Sequence, residues 1–305
     1  MNRLRRIAGF TLAEAVVVIA VLGIISAGIA LFIRTPIEGY IDSASRAALS
    51  DNAETAFKRI GRDVQAALPN SVRVTNVGTV FYLEFLQTRT GGRYRSATPS
   101  PVIPPTGPNT CPDVAPLDGL ADEDVMVFGV ADTCFRTLGA VPISPIFGPI
   151  VPNADFLVIY NLGPGFANAD AYASGPATGG NKSLITAFAV SVGNENRFTF
   201  QPNNFQLESP GSRFHVVSGP VTYQCDPVAG VLQRYSNYVI SAGQPTPPGV
   251  APDLLSRNVS DCTITFAVAN QRTGVVSIWL QLSDLGPGGA ARVNLFQQML
   301  VNNAP

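Results

Sequence analysis

Apolar residues run almost without a break from Phe10 to Ile33, a stretch of 24 positions in which Glu14 is the only charged side chain. At about 1.5 Å per residue the stretch is roughly 36 Å long as a helix, more than the roughly 30 Å of hydrocarbon a membrane span must cross. The residues before it carry Arg3, Arg5 and Arg6, and Arg34 alone opposes them on the far side. That asymmetry predicts a cytoplasmic N-terminus and export of everything after Arg34. A secretory signal has a shorter apolar region of about 7–15 residues and a small-x-small cut site, and neither fits.

Beyond the span the pattern becomes amphipathic. Ile37, Ile41, Ala44, Ala48, Ala53, Phe57, Ile60, Val64 and Leu68 recur mainly at steps of three and four, the spacing of one helix face. Asp42, Arg46, Asp51, Glu54, Lys58, Arg59, Arg62 and Asp63 occupy the other face, which is expected to be wet. Pro36 and Gly39 are expected to kink or loosen the helix at the membrane boundary, and Pro69-Asn70 to end it. One straight helix from Phe10 to Leu68 would be about 88 Å long.

From Val72 the period changes to that of strands. Val80–Leu86, Val125–Val130, Phe156–Asn161, Leu184–Val192, Arg197–Phe200, Phe214–Val217, Val221–Cys225, Leu232–Ile240, Cys262–Val268, Val275–Leu282 and Val293–Val301 are short and rich in Val, Ile, Phe and Tyr, with Gly, Pro and Asn between them. Proline-laden connections at Thr98–Pro116, Val141–Pro152 and Gly243–Pro252 read as long loops, because strand signals resume after each. The expected fold class is α+β: a long N-terminal helix packed on a β-rich, mainly antiparallel head. The expected organisation is a short basic segment at 1–9, an apolar helix at 10–34, an amphipathic spine at 35–68 and the head at 69–305.

Composition adds exclusions. The 305 residues are 46% hydrophobic and 13% charged, with 28 Gly and 25 Pro; disorder would need lower hydrophobicity and a larger net charge. Twenty basic residues against 21 acidic ones give a net charge of −1. With an isoelectric point near 5.8, no nucleic-acid partner is expected.

Cys111, Cys134, Cys225 and Cys262 all follow the span, an even number in what should be an oxidising compartment. Three pairings are open. Neighbour pairing, Cys111 with Cys134 and Cys225 with Cys262, is preferred because each pair brackets a segment that reads as strand and loop. Such loops would stabilise the domain by about 3–4 kcal/mol each. A zinc site is disfavoured: no CxxC occurs, and the one histidine, His215, is ten residues from the nearest cysteine. No metal or other cofactor is expected.

Glu14 is the anomaly in the apolar run, since a carboxylate there is unfavourable unless it finds a partner. The string around it, GFTLAEAVVVIAVLGIISAG, resembles the N-terminus of type IV prepilins and pseudopilins. The resemblance implies that a membrane-embedded prepilin peptidase cuts between Gly9 and Phe10, and that the new Phe10 amine is methylated. It also implies that Glu14, the fifth residue of the mature chain, pairs with the N-terminal amine of a neighbouring subunit. The implied partners are other major and minor pilins or pseudopilins and an inner-membrane assembly platform. The implied location is a single pass through the inner membrane with the head in the periplasm, followed by incorporation in a pilus or pseudopilus. Without the leader the chain carries 17 basic residues against 21 acidic ones.

The 237 residues from 69 to 305 make a large head, suited to a low-copy subunit. The segments CDPVAGVLQRYSNYVI, VSDCTITF, VVSIWLQLSD and VNLFQQMLVNNAP, with GYIDSASRAALSDNAETAFKRIGRDVQAALPNSVRV in the spine, resemble minor pilins of mannose-sensitive haemagglutinin (MSHA) pili. They resemble more distantly the J-type minor pseudopilins of type II secretion. The resemblance implies initiation or tip assembly, with a tip adhesin for a surface or glycan as the alternative. Other chemistry is thin, and no enzyme is expected. Gly175–Ser183 approaches a phosphate-binding loop, but Asn181 stands where that motif needs glycine. Asp113, Asp118, Asp122, Glu123 and Asp124 form an acidic cluster able to take calcium, a remote prospect without EF-hand spacing. His215 has no triad partner.

Overall fold

The computed structural model describes residues 9–96, 125–173, 180–190, 195–270, 272–284 and 291–305. An N-terminal apolar helix is followed by a mainly antiparallel β-rich head, the α+β class the pattern predicts. Two compact units divide the chain. One holds the residues up to Asp51 with Ser283–Val293, and the other holds Asn52–Leu282 with Asn294–Pro305.

Helix α1 runs over Leu12–Gln65 in a single 54-residue element, with helical backbone through Pro36 and Gly39. In the first unit the helix is exposed on every face between Leu12 and Ile29. In the second unit it turns amphipathic, burying Ala53, Ala56, Phe57, Ile60 and Val64. Asp63, which periodicity assigns to the wet face, is also buried, at 2% exposure. Ile37, Ile41, Ala44 and Ala48, which continue the predicted stripe toward the N-terminus, are exposed. The helix ends three residues before Leu68 because the chain turns to pair with a strand. Leu68 N–H donates to Leu86 O at 2.7 Å, Thr88 N–H donates to Ala66 O at 2.8 Å, and Asn70 takes a positive φ of 60°.

The head contains β1 (Arg73–Val77), β2 (Val80–Arg93), β3 (Asp132–Arg136), β4 (Phe156–Val158), β5 (Lys182–Val190), β6 (Asn196–Asn203), β7 (Arg213–Asp226), β8 (Val231–Tyr235), β9 (Asp253–Arg257), β10 (Val259–Asn270), β11 (Thr273–Asp284) and β12 (Ala291–Asn302). The larger sheet has the order β1-β2-β7-β4-β5-β6-β3, with β8 on the free half of β7 and β9 beyond it; β10-β11-β12 form a second sheet. Its core is aromatic. Phe135 stacks on Phe198 at 5.3 Å, and Phe214 meets both rings edge-on at 5.1 Å. Burial on β11 alternates residue by residue, as expected of a sheet with one face packed.

Several strand expectations need correction. Phe214–Val217 and Val221–Cys225 are one strand, β7, although Gly219-Pro220 reads as a break. Upstream of that dipeptide β7 pairs with β4, at Val217 with Phe156; downstream it pairs with β8, at Thr222 with Tyr235. Pro220 therefore lies between two partners on that edge, where its missing N–H costs no ladder bond. Ser218 is absorbed by a bulge against β2. Val125–Val130 is not a strand: it holds only a bridge at Met126, and Val127 N–H is taken by the Asp132 carboxylate at 2.9 Å. Leu232–Ile240 stops at Tyr235, two residues before Asn237 adopts φ 62°. The short polar strands β1, β3 and β9 carry too little apolar signal to be read.

Candidate functional site

The N-terminal segment is built by one local device. Thr11 caps α1: its hydroxyl accepts from Glu14 N–H at 3.3 Å, while Glu14 Oε2 accepts from Thr11 N–H at 3.0 Å and from Thr11 Oγ1–H at 2.9 Å. This is a capping box, in which Ncap and N3 satisfy each other's free backbone donors. Glu14 thus has a partner inside its own chain, and Oε2 is satisfied by two neutral donors. The spacing Thr-x-x-Glu at the head of an apolar run is a legible signal of that arrangement, and reading Glu14 only as a charge in search of a cation misses it.

Phe10 and Leu12 are 78% and 84% exposed, and the window Leu12–Ile29 has a mean hydropathy of 2.5 with no part of it buried. A Cβ placed on Gly9 would meet nothing within 4 Å, and Gly9 is not among the glycines with positive φ. Among the described residues, neither packing nor backbone conformation calls for glycine there.

Cys225 of β7 and Cys262 of β10 are bonded, with Cα atoms 6.6 Å apart and 37 residues between them in sequence. The bridge ties the larger sheet to the smaller one, and closing a loop of that size is worth about 4 kcal/mol in the chain-entropy model. Cys134 is also disulfide-bonded. Its expected partner Cys111 lies outside the described residues, as do Asp113, Asp118, Asp122, Glu123 and Asp124.

Of the segment likened to a phosphate loop, residues 175–179 lie outside the described residues. Lys182 is in β5, where Nζ donates to Ala171 O at 2.7 Å and burial pulls the ammonium down to about 8. It is a strand residue with its charge turned inward.

His215 lies in β7 opposite Gly91 of β2 and Val158 of β4, and its Nε2 has no hydrogen-bond partner among the described residues. Burial, helped by the neighbouring Arg213 charge, pushes the imidazole down to about 4. The unfolded chain, with an ordinary value near 6.5, takes up the proton first. Stability from this group is therefore complete above pH 6.5 and is lost as pH falls toward 4. At about 1.4 kcal/mol per unit, reduced for partial exposure, the loss is about 2–3 kcal/mol. Melting temperatures measured from pH 7.5 to 4 should fall less for His215→Gln than for the native chain. Parallel curves would show that His215 does not contribute.

No curated protein and no solved structure gives a significant match to this chain. A family model does match, and it falls on the capped, exposed segment described above: residues 4–30 carry the prokaryotic N-terminal methylation motif.

Proposed function

We propose that the chain is a minor subunit of a type IV pilus of the MSHA kind, close to MshO, and that it takes part in initiation or tip assembly. The methylation motif supports a type IV pilin-like or pseudopilin-like protein, and the observation that carries the reading is where that motif lies. It begins an apolar segment exposed on every face from Leu12 to Ile29, which continues as one helix to Gln65. An exposed apolar helix needs lipid or other helices around it. In this reading prepilin peptidase cuts between Gly9 and Phe10 and Phe10 is then N-methylated. The helix anchors the subunit in the inner membrane, with the head in the periplasm, until it joins other pilins through the assembly platform. The role is structural, not enzymatic.

Mass spectrometry of the protein isolated from its host is expected to show a chain beginning at N-methylated Phe10. A chain retaining Met1 in cells with active prepilin peptidase would refute the reading. Filament counts in a deletion strain separate priming, where filaments are lost, from the adhesin alternative, where filaments persist and attachment is lost. Preserved filaments with failed export of secreted proteins would assign the subunit to type II secretion.

A further inference from the structure

Where the second half of α1 meets the larger sheet, the head has a cavity of about 320 Å³ lined by Arg59, Arg62, Arg89 and Arg234, with Asp63 and Gln87. Four guanidinium groups are concentrated there in a chain with only 20 basic residues. Two of them are locked. Arg89 Nε lies 2.8 Å from Asp155 Oδ2, and Arg89 Nη1 donates to Phe147 O. Arg234 donates to Asp63 at 2.9 Å, to Ser236 Oγ at 3.0 Å and to Gln87 Oε1 at 3.4 Å. The other two are held more loosely. Arg59 is 3.5 Å from Asp253 and Arg62 is 3.7 Å from Asp63, and their side chains are 41% and 50% exposed. Counting every carboxylate they approach, Asp63, Asp155 and Asp253, one positive charge is left over.

A second observation points to a ligand. Gln87 is 93% buried, and while its carbonyl oxygen is held by Arg234, its Nε2 has no hydrogen-bond partner among the described residues. A buried amide donor left unsatisfied is costly, and such a group needs an acceptor. An oxyanion in the cavity would supply one, and would also meet the half-exposed guanidinium of Arg62, whose pairing with Asp63 is loose at 3.7 Å. The volume is at the lower end of the roughly 300–1,000 Å³ of small-molecule sites. Phe147 also lines the cavity, with Ser218, whose hydroxyl donates to Gln87 O at 3.3 Å, and Ser236, whose Oγ accepts from Arg234 at 3.0 Å.

We propose that this cavity binds an acidic sugar, its carboxylate held by Arg62 and the Gln87 amide, its ring against Phe147 and its hydroxyls at the serines. The site is independent of the assembly reading: binding can fail while processing at Gly9 holds, and the reverse.

The test is titration calorimetry of the full chain in detergent with galacturonic acid, neutral galactose and inorganic phosphate. Galacturonic acid is expected to bind saturably and at least about tenfold more tightly than either of the others, with affinity falling as salt rises. Arg62→Gln and Gln87→Glu are each expected to weaken it by about tenfold or more. Arg62 is half exposed, so its replacement leaves the fold intact, and Gln87→Glu keeps the shape and the contact to Arg234 while reversing the preference for anions. No binding of galacturonic acid, phosphate binding as tightly, or unchanged affinity in Arg62→Gln with an unchanged melting temperature would each overturn the proposal. The first two results would fit a cavity that receives an acidic side chain of a neighbouring subunit or a plain anion.

Discussion

Glu14→Ala is expected to leave cutting after Gly9 and methylation of Phe10 intact while lowering incorporation into filaments by about tenfold or more. On the proposed reading a prepilin peptidase would recognise the first nine residues and the Gly9-Phe10 bond, none of which the substitution touches. Two separate things are lost with the carboxylate. One is the capping box, in which Glu14 Oε2 accepts from the Thr11 amide at 3.0 Å, so that the first turn of α1 loses a satisfied backbone donor. The other is an acceptor for the amine that Phe10 acquires only on cutting. A charge-assisted hydrogen bond of that kind is roughly twice as strong as one between neutral groups, so its loss is the larger of the two effects.

Glu14→Gln separates the two. Glutamine can complete a capping box but carries no charge. If assembly needs the amine pairing, Glu14→Gln fails in the sheared filament fraction as badly as Glu14→Ala, with both proteins starting at methylated Phe10. If the alanine variant fails and the glutamine variant assembles normally, the cap is what matters and the pairing is wrong. Normal incorporation of both variants would remove Glu14 from assembly altogether.

What could be read in advance followed from how far apart the cooperating residues are in sequence. The span, the spine and most strands are visible because the signal is a period of a few residues, and Thr11 and Glu14, three apart, were equally legible as a cap. The failures share a cause. Gly219-Pro220 looks like punctuation until β4 and β8 are known to share one edge of β7. Asp63 follows Arg62 on a helix with a plausible wet face, and nothing local reports that Tyr223 and Arg234 close over it. The cavity draws residues from α1, β2, β8 and the loop around Phe147, so its arginines read singly as ordinary surface charges.

Asp63→Ala should be the most damaging single change in the head, lowering stability by about 3–5 kcal/mol, the range for removing one partner of a buried ion pair. Asp63 Oδ2 accepts from Arg234 Nε at 2.9 Å and from the Tyr223 hydroxyl at 2.8 Å, and the three side chains belong to α1, β8 and β7. The exposed pair Arg46–Asp42 has the same 2.9 Å separation but side chains 51% and 38% exposed, against 11% and 3% for Arg234 and Asp63. Distance therefore does not decide; burial does. Water screens the outer pair to about 0–1 kcal/mol, whereas alanine at 63 leaves the Arg234 Nε–H and the Tyr223 hydroxyl desolvated without an acceptor. Burial already pushes the Tyr223 hydroxyl far above its ordinary range, with the Asp63 charge adding to it, so the tyrosine stays a donor at any physiological pH and cannot relieve the loss by ionising. At about 2–4 °C per kcal/mol for a domain of this size, the melting temperature should drop by roughly 10 °C, while Asp42→Ala moves it by no more than a few degrees. Asp63→Leu combined with Arg234→Met and Tyr223→Phe should recover most of the loss, because removing both charges and the hydroxyl leaves no orphan. Equal melting temperatures for Asp63→Ala and Asp42→Ala would show that the buried triad does not hold the helix to the sheet.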